Sequence, residues 1–492
     1  MNDSSSKTIV KNSVIYTASG LLLKCFSFFL LPLYTAYLTT SDYGITSIVN
    51  SFISTMSFIV ALSVFAAVTR FYVEYRDEPN SLKRFYGSVI VFTYISGCIW
   101  FGIMFFFRKQ LSSKVFSGEP FWPIICISII SLVFNCQTTI YNNILMGQQK
   151  AGKVSIINLA YFFASFLFNL LFVVVLKYGA IGVILSTAIV NFLYTVFFTI
   201  DLLRTNSIVF CIDCKILKEV LKYSIPLIPH NLSTSIALLI SKILIGESGT
   251  LSAVGVYTVA TQFANVADTV QGYVNTAYGP WLFEKLHDKK EGYKDDIRKV
   301  VCLLTSVIGL FFVALTLFSH DCVLVLNRAY VDAWTYIPFI VFVYTLKTAY
   351  YFYVSILFYH KKASRLLFIA TLSGSIVNIV LSYIIIPVWG VYGSIVADGL
   401  STLIRTLIVI IISYRYEDIG LRIRDFIINL AIVTFFIAIG LVPSFVYFKD
   451  TFNVYNLFYK CLVLFVFIAI IAIRYRRQIP GIIASLKQRK HK

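Results

Sequence analysis

The sequence predicts an all-α polytopic membrane protein with about 14 transmembrane helices, and three observations support this fold class. Hydrophobic residues make up 58% of the 492 residues, whereas charged residues make up only 13%. Soluble domains carry about 25% charged residues. Apolar runs of about 20 residues, the length that crosses a bilayer as a helix, recur along the whole chain. The positive charges are also unequally shared between the segments that join these runs.

Fourteen apolar runs are long enough to be predicted as membrane spans. Six form a first group, six form a second group, and two follow. Their predicted limits are residues 13–38, 44–68, 85–107, 121–146, 154–176, 179–200, 222–246, 252–276, 299–319, 335–359, 364–387, 390–413, 426–448 and 456–474.

The distribution of Lys and Arg predicts the orientation of these spans. If the N-terminus is inside, 31 of the 42 Lys and Arg lie on the inner side, and six lie in the outer loops. Because cytoplasmic loops carry the excess of positive charge, both termini are predicted to be cytoplasmic. The same bias explains the net charge of +19 without a nucleic-acid partner. The outer loops are short, so any chemistry is expected between the helices.

The first twelve spans form two copies of one six-helix unit, displaced by 211 residues. At this offset Gly44 matches Gly255, and Gly179 matches Gly390. Because each copy has an even number of spans, both copies enter from the same side, which predicts an axis along the membrane normal and a cavity between two lobes. The predicted parts are a first lobe at 1–213, a second lobe at 214–424, and two extra helices with a basic cytoplasmic tail at 425–492.

A polar helical face recurs in both copies. In span 2 four polar residues follow one another in steps of three, four and three, which places them on one side of a helix. The matching positions in span 8 are polar as well, although such stripes also mediate helix packing. The two sets are Ser47, Asn50, Ser54 and Ser57 in span 2, and Thr258, Thr261, Asn265 and Asp268 in span 8.

Lys24 and Lys347 lie near the middle of predicted spans. A lysine at the centre of a membrane helix costs at least ~2.5–3.5 kcal/mol, so a compensating environment is expected. Neither lysine has an acidic residue within one helical turn, and each shares a face with hydroxyl groups. We therefore expect both to line a polar cavity and to meet an anionic substrate. The face neighbours are Ser13, Thr17, Gly20 and Ser27 for Lys24, and Tyr344, Tyr351 and Ser355 for Lys347.

Other charges in the spans have structural as well as functional explanations. Lys242 and Lys460 could extend to an interface, and Arg405 could pair with Asp398, which lies on the same helical face. Asp268 and Asp398 are interpreted as the only carboxylates well inside spans. They could brace a cation, or they could take up a proton or a sodium ion during a transport cycle.

Several kinds of chemistry are not expected. Cys211 and Cys214 form a lone C-x-x-C with no further ligands at suitable spacing, so no metal site is predicted. The sequence contains no G-x-x-x-x-G-K-[ST] loop, so ATP is not expected to act on this chain directly. No nucleophile and base occur at a recognisable spacing. The prediction is a transporter without a cofactor rather than an enzyme.

Four local motifs, together with the repeat and the two extra spans, resemble oligosaccharide-lipid flippases of the multidrug/oligosaccharidyl-lipid/polysaccharide superfamily. The resemblance covers essentially the whole chain. The motifs are LPLYTAYLTTSDYG at 31–44, VTRFYVEYRD at 68–77, YSIPLIPHNLS at 223–233 and VGVYTVA at 254–260.

The resemblance implies a flippase that moves undecaprenyl-pyrophosphate-linked repeat units from the inner to the outer leaflet of a bacterial cytoplasmic membrane, by alternating access. The products would be O-antigen (lipopolysaccharide) or capsule. Implied partners are the lipid-linked oligosaccharide, a proton or sodium counter-ion and a polysaccharide polymerase. Ser241–Lys242 departs from the acidic–basic pair that the family often has in span 7. Candidate substrate-binding residues are Lys24, Lys347, Arg405, Arg70, Lys242 and Asn265, and candidate ion-coupling residues are Asp268 and Asp398.

Four alternatives remain open at this point. One of them, a purely structural membrane scaffold, would have no reason to hold mid-span charges. A cation-coupled multidrug exporter of the same fold would be expected to have an acidic cavity, whereas mid-span cations here are at least as numerous as carboxylates. A flippase for another lipid-linked cell-wall precursor would fit the same features. A membrane polymerase or ligase would be expected to have a sizeable outer loop.

Overall fold

The computed structural model describes residues 15, 18–360, 363 and 366–476. Within this part the regular elements are helices, and the predicted all-α class is confirmed. The helices are α1 (Ala18–Tyr37), α2 (Thr40–Val60), α3 (Val64–Tyr75), α4 (Pro79–Phe106), α5 (Arg108–Lys114), α6 (Phe121–Gly147), α7 (Ala151–Val175), α8 (Gly179–Arg204), α9 (Cys214–Ser248), α10 (Leu251–Asp288), α11 (Tyr293–Leu324), α12 (Ala333–Tyr359), α13 (367–389), α14 (391–416), α15 (Ile423–Val446) and α16 (Val454–Tyr475).

Twelve stretches of the described residues are long and apolar enough to cross a membrane. One of them, Leu367–Tyr416, holds both α13 and α14, because Gly390 takes a non-helical conformation between them. α10 has 38 residues and is not among the twelve, since its polar face lowers its hydropathy. With α10 included, the helices agree with the prediction of about fourteen spans.

The second predicted span differs from the structure. The apolar pattern predicts one helix over 44–68, whereas α2 ends at Val60 and α3 begins at Val64. Between them Leu62 and Ser63 have φ angles of 45° and 54°. This left-handed conformation cannot continue a right-handed helix. Hydropathy does not record backbone conformation, so the pattern of apolar residues does not show the break.

The start of α2 is stabilised by a reciprocal pair of hydrogen bonds. The Asp42 N–H donates to Thr39 Oγ1, and the Thr39 N–H donates to Asp42 Oδ2, each at 3.1 Å. Such a capping box satisfies N–H groups that lack partners within the helix. Asp42 Oδ1 also accepts from the Ala180 N–H at 3.2 Å, at the start of α8. One carboxylate therefore stabilises the N-termini of two helices.

Two helices of the first sequence copy coincide within one residue with helices of the second when they are displaced by 211 residues. Displaced α6 covers 332–358, and α12 is Ala333–Tyr359; displaced α8 covers 390–415, and α14 is 391–416. Gly179 and Gly390 have φ angles of 57° and 53°, which favour glycine over any other residue. The helix boundaries and the backbone thus support the repeat.

α2 and the start of α10 cross at matching residues. A Cβ added at Gly44 or at Gly255 would overlap a carbonyl oxygen of the other helix. Three residues further along each helix, Thr258 Oγ1 donates to Ser47 Oγ at 2.7 Å. Ser47 and Thr258 are 211 residues apart, and so are Thr40 and Leu251, whose carbonyl oxygens face Gly255 and Gly44 respectively. A local two-fold relation therefore links these segments, and small residues permit their close approach.

The backbone divides into two compact units. Unit 1 is Met1–Thr258 with Ser375–Ser394, and unit 2 is Val259–Gly374 with Ile395–Lys492. The predicted lobe boundaries at 213 and 424 concern the sequence repeat, and they stay a prediction.

Candidate functional site

Asp268 of α10 and Lys347 of α12 form an ion pair in unit 2. Lys347 Nζ lies 2.7 Å from Asp268 Oδ1, and Tyr351 donates its hydroxyl to the same oxygen at 2.9 Å. Nζ also lies 5.2 Å from the ring centroid of Tyr344 and 5.4 Å from that of Tyr351, distances at which an aromatic face attracts a cation. Asp268 thus braces a cation of another helix, which was one of the alternatives left open by the sequence.

Two more polar contacts hold α10 and α12 in register. Gln271 Nε2 donates to the Tyr344 carbonyl oxygen at 2.8 Å, and Ser355 Oγ donates to Asn275 Oδ1 at 2.8 Å. Gln271 is buried, so its bond is shielded from water. These contacts follow the same helical face as Asp268, and they fix the height at which Asp268 and Lys347 meet.

Arg405 and Asp398 lie on α14 in the same unit. The Arg405 Nε atom is buried and has no hydrogen-bond partner. It lies over Gly374, where an added Cβ would be 2.9 Å from Nε. Asp398 is close enough to Arg405, Lys347 and Asp268 to interact with them electrostatically. The alternative of a structural ion pair between Arg405 and Asp398 is not seen among the described residues.

Asp268, Lys347, Asp398 and Arg405, together with Tyr351, are called the charged cluster below. The side chains of Lys347 and Asp268 retain 24% and 33% of their surface exposed, so both remain accessible. The formal charges of two acids and two bases cancel. The cluster therefore offers donors to an anion, but it has no net positive charge with which to hold one.

Asn265, the other candidate on α10, lies one helical turn before Asp268 and is exposed. Its carbonyl oxygen accepts from Thr269 Oγ1 at 2.6 Å, so the side-chain amide is not used in that bond. The polar face predicted for span 8 thus contains both a paired carboxylate and an exposed amide.

The remaining candidates belong to unit 1. Lys242 donates to Ser51 Oγ at 2.8 Å and lies 3.5 Å from the Ser47 carbonyl oxygen, so it contacts α2 within the protein. No carboxylate pairs with Lys242 in the part of the chain that the structure describes. Arg70 is exposed, and its guanidinium lies 4.8 Å from the ring centroid of Tyr223.

Lys24 lies on α1 and is exposed. Of the face predicted around it, Ser13 and Thr17 lie outside the described residues. Ser27 donates its hydroxyl to the Leu23 carbonyl oxygen at 2.9 Å. The assignment of Lys24 to a polar cavity stays a prediction.

Sequence reasoning missed a group of charges in unit 2. The suggestion that Lys460 extends to an interface is wrong, because its side chain is 0% exposed and its Nζ lies 2.7 Å from Asp321 Oδ2. Asp321 falls beyond the predicted limit of 319, but α11 continues to Leu324. A single sequence gives no signal for a contact between residues 139 positions apart.

Comparisons with known proteins show a family through one match and a fold through several solved structures. A family model described as polysaccharide biosynthesis protein matches residues 9–286. No curated protein gives a significant match.

Three solved structures show the fold. The lipid II flippase MurJ in an inward closed conformation has 16% identity and a TM-score of 0.69, over 95% of this chain and 100% of that one. An inward-facing MATE family multidrug resistance transporter of the MOP superfamily has 15% identity and a TM-score of 0.58, over 80% and 94%. A MOP superfamily transporter from Pyrococcus furiosus, described by the reverse polarity of its binding pocket, has 14% identity and a TM-score of 0.52, over 83% and 95%.

Proposed function

Because the chain belongs to the polysaccharide biosynthesis protein family, we propose that it is a flippase for polyprenyl-pyrophosphate-linked oligosaccharide repeat units. It would move them from the inner to the outer leaflet of a bacterial cytoplasmic membrane by alternating access, with both termini cytoplasmic. The end product would be O-antigen or capsular polysaccharide. The family, the MurJ-like fold and the positive charge of the predicted inner loops support this proposal.

The observation that carries the proposal is the buried Arg405 Nε without a hydrogen-bond partner, in a cluster with a second cation, Lys347. A buried donor without a partner is costly, and a ligand oxygen would remove that cost. Pyrophosphate presents several anionic oxygens, and a guanidinium binds such groups in a planar fork. Lys347 would move from Asp268 to the same anion.

The balance of charge in the cluster supports ion coupling. The cluster is neutral before the substrate arrives, so a bound pyrophosphate would leave uncompensated negative charge in a low-dielectric setting. A proton or a sodium ion taken up by Asp268 or Asp398 would compensate it. We assign these two carboxylates to coupling.

The other candidates would contact the substrate elsewhere on its path. Asn265 offers an exposed amide for sugar hydroxyls. Lys24, Lys242 and Arg70 offer positive charge in unit 1. A polysaccharide polymerase would take over the unit at the outer leaflet.

A second function, cation-coupled multidrug export, is favoured by the fold shared with MATE transporters and by the two carboxylates in the spans. In that case Asp268 would hold a cationic drug, and Lys347 would compete with it. The two functions make opposite predictions for Lys347, because its removal should weaken anion transport and strengthen cation binding.

The test is the sidedness of labelled lipid-linked oligosaccharide in cells depleted of the protein, read by a glycan-cleaving reagent added from outside. We expect the label to become protected from cleavage in depleted cells. Wild type should restore cleavage, and so should Lys177→Gln, which removes a cation in the loop between α7 and α8. Arg405→Gln should fail to rescue. Normal cleavage in depleted cells would contradict the proposal.

A further inference from the structure

Three side chains of unit 2 form a buried group that the proposed function does not use. His320 and Asp321 lie near the end of α11, and Lys460 lies near the start of α16. The side chains of His320 and Lys460 are 0% exposed, and that of Asp321 is 11% exposed. Lys460 Nζ lies 2.7 Å from Asp321 Oδ2 and 3.2 Å from His320 Nδ1. This group is called the buried triad below.

The contacts of His320 define its protonation state. Its Nε2 lies 2.9 Å from the Phe448 carbonyl oxygen and 3.2 Å from that of Lys449. Carbonyl oxygens only accept, so Nε2 must carry a hydrogen. The ammonium of Lys460 only donates, so Nδ1 must carry the lone pair. A bond from Lys460 to Nδ1 therefore goes with a neutral imidazole, which links α16 and the α15–α16 loop to α11.

Few ionisable groups interact with the buried triad from the helices packed around it. α11 also provides Cys322, whose thiol interacts with Asp321 and Lys460. From α12 the neighbour is the uncharged indole of Trp334, which meets the imidazole edge-on with centroids 4.7 Å apart.

The two carboxylate oxygens of Asp321 differ in their hydrogen bonding. Its Oδ2 accepts from Lys460, whereas Oδ1 is buried, lies 3.6 Å from His320 Nδ1 and has no hydrogen-bond partner. The oxygen is placed where a hydrogen on Nδ1 would find an acceptor.

We infer that His320 is a proton-binding site, and that binding of the proton releases α16 from α11. A proton on Nδ1 occupies the lone pair that accepts from Lys460, so that bond is lost. The ring then carries a positive charge 3.2 Å from a second one, and both cations compete for Asp321. Because Lys460 is completely buried, the loss of one of its two partners is costly.

The site has a defined place in the predicted topology. The end of α11 and the α15–α16 loop are predicted to lie on the outer side, so the proton would come from outside. α15 and α16 also lie outside the two sequence copies. The inference does not depend on the substrate of the protein, and it holds for either proposed function.

The test is hydrogen exchange of the purified full-length protein in lipid nanodiscs between pH 8 and pH 5.5. Exchange in peptides covering residues 448–462 is compared with the intrinsic rate at each pH. We expect protection to fall several-fold at the lower pH in the wild type. In His320→Gln, which keeps a donor towards the Phe448 carbonyl but cannot take up a proton, protection should not change with pH.

The matched control is His360→Gln. His360 Nε2 lies 2.9 Å from Glu417 Oε2 in another part of unit 2, so this variant removes a paired histidine and should keep the wild-type response. A second readout is the emission of Trp334 in a variant whose other four tryptophans are replaced by Phe, since the chain has five tryptophans. A charged imidazole quenches the indole beside it, so this emission should fall over the same pH range. Constant protection in the wild type, constant Trp334 emission, or an unchanged pH response in His320→Gln would overturn the inference.

Discussion

The same helix crossing is built twice in this molecule, once with charge and once without. In the second copy, Asp268 of α10 and Lys347 of α12 lie 2.7 Å apart. The matching residues 211 positions earlier are Ser57 of α2 and Cys136 of α6. Cys136 Sγ lies 4.0 Å from the Ser57 carbonyl oxygen. The two backbones meet at equivalent positions, and the side-chain chemistry differs.

The uncharged crossing shows that packing of these helices does not need an ion pair. Charged groups inside a membrane are costly and usually mark function. The neighbouring α14 extends the contrast, because Asp398 and Arg405 match Thr187 and Tyr194 of the first copy. The charged cluster is therefore a property of the second copy alone.

The largest expected effect tests what the two copies share. Gly44→Ala and Gly255→Ala should each lower the free energy of unfolding, since the new Cβ overlaps a carbonyl oxygen of the facing helix. Overpacking of this kind costs about 1–3 kcal/mol. The measurement is the apparent melting temperature of the purified protein, and Gly272→Ala, with no atom within 4 Å of the added Cβ, is the control. If Gly44→Ala and Gly255→Ala lowered the melting temperature by clearly different amounts, the two-fold relation would be contradicted.

The next effect tests what differs between the copies. Lys347→Met should lower transport of lipid-linked oligosaccharide at least about tenfold, a difference of about 1.4 kcal/mol, because a cation of the site is lost. Cys136→Ala, the matching change in the first copy, should leave transport nearly unchanged.

A double variant separates transport from stability. Asp268→Ser with Lys347→Cys gives the second copy the residues of the first. It should fold as well as wild type, since both members of the ion pair are removed together, and it should not transport. Transport by the double variant at the wild-type rate would refute the role of the cluster.

A smaller effect tests the position of Arg405. Gly374→Ala places a Cβ 2.9 Å from Arg405 Nε and 3.2 Å from Arg405 Cβ, and should displace the guanidinium together with a small shift at the Arg405 Cβ. We expect transport to fall about threefold, or about 0.6 kcal/mol, with only a small fall in the melting temperature. Gly102→Ala, with open space around the added Cβ, is the matched control. Equal transport by both variants would mean that the position of Arg405 is unimportant.

The smallest effect concerns the loop after α14. The hydrogen bond from Lys294, and then that from the Gly420 N–H, hold the pKa of Asp418 below its usual value. A lowered carboxyl pKa stabilises the fold above the unfolded pKa of about 4, and this contribution is lost as the pH falls below it. Both side chains are half exposed, so the contribution is well below about 1 kcal/mol.

The matching residue of the first copy, Ser207, has no charge, so at this position only the second copy should show the dependence. Asp418→Asn should remove a small loss of stability between about pH 5 and pH 3, measured by thermal unfolding. Asp450→Asn, in the exposed α15–α16 loop, should keep that loss. A loss of the same size in Asp418→Asn would contradict the assignment.

Much of the fold could be predicted because membrane spans depend on local composition. Length and apolar content are enough to locate α4 or α11. The break between α2 and α3 could not be predicted, since it depends on the φ angles of Leu62 and Ser63.

In the candidate site, too, local features could be predicted from the sequence and contacts between helices could not. Helical spacing predicted that Asp268 lies on a polar face. The apolar residues on either side of Lys347 predicted that it lies near the middle of a span. Their pairing, and that of Lys460 with Asp321, joins distant helices, and a single sequence does not contain that information. The same spacing suggested a pair between Asp398 and Arg405, which tertiary packing does not form.

The most direct test of the central claim is binding of a short-chain polyprenyl pyrophosphate to the purified protein, compared with the same lipid carrying a neutral head group. If the charged cluster recognises pyrophosphate, wild type and Lys177→Gln should prefer the pyrophosphate, and Lys347→Met and Arg405→Gln should lose at least about tenfold in affinity, or about 1.4 kcal/mol. Equal affinity of all four proteins for the pyrophosphate would contradict the account.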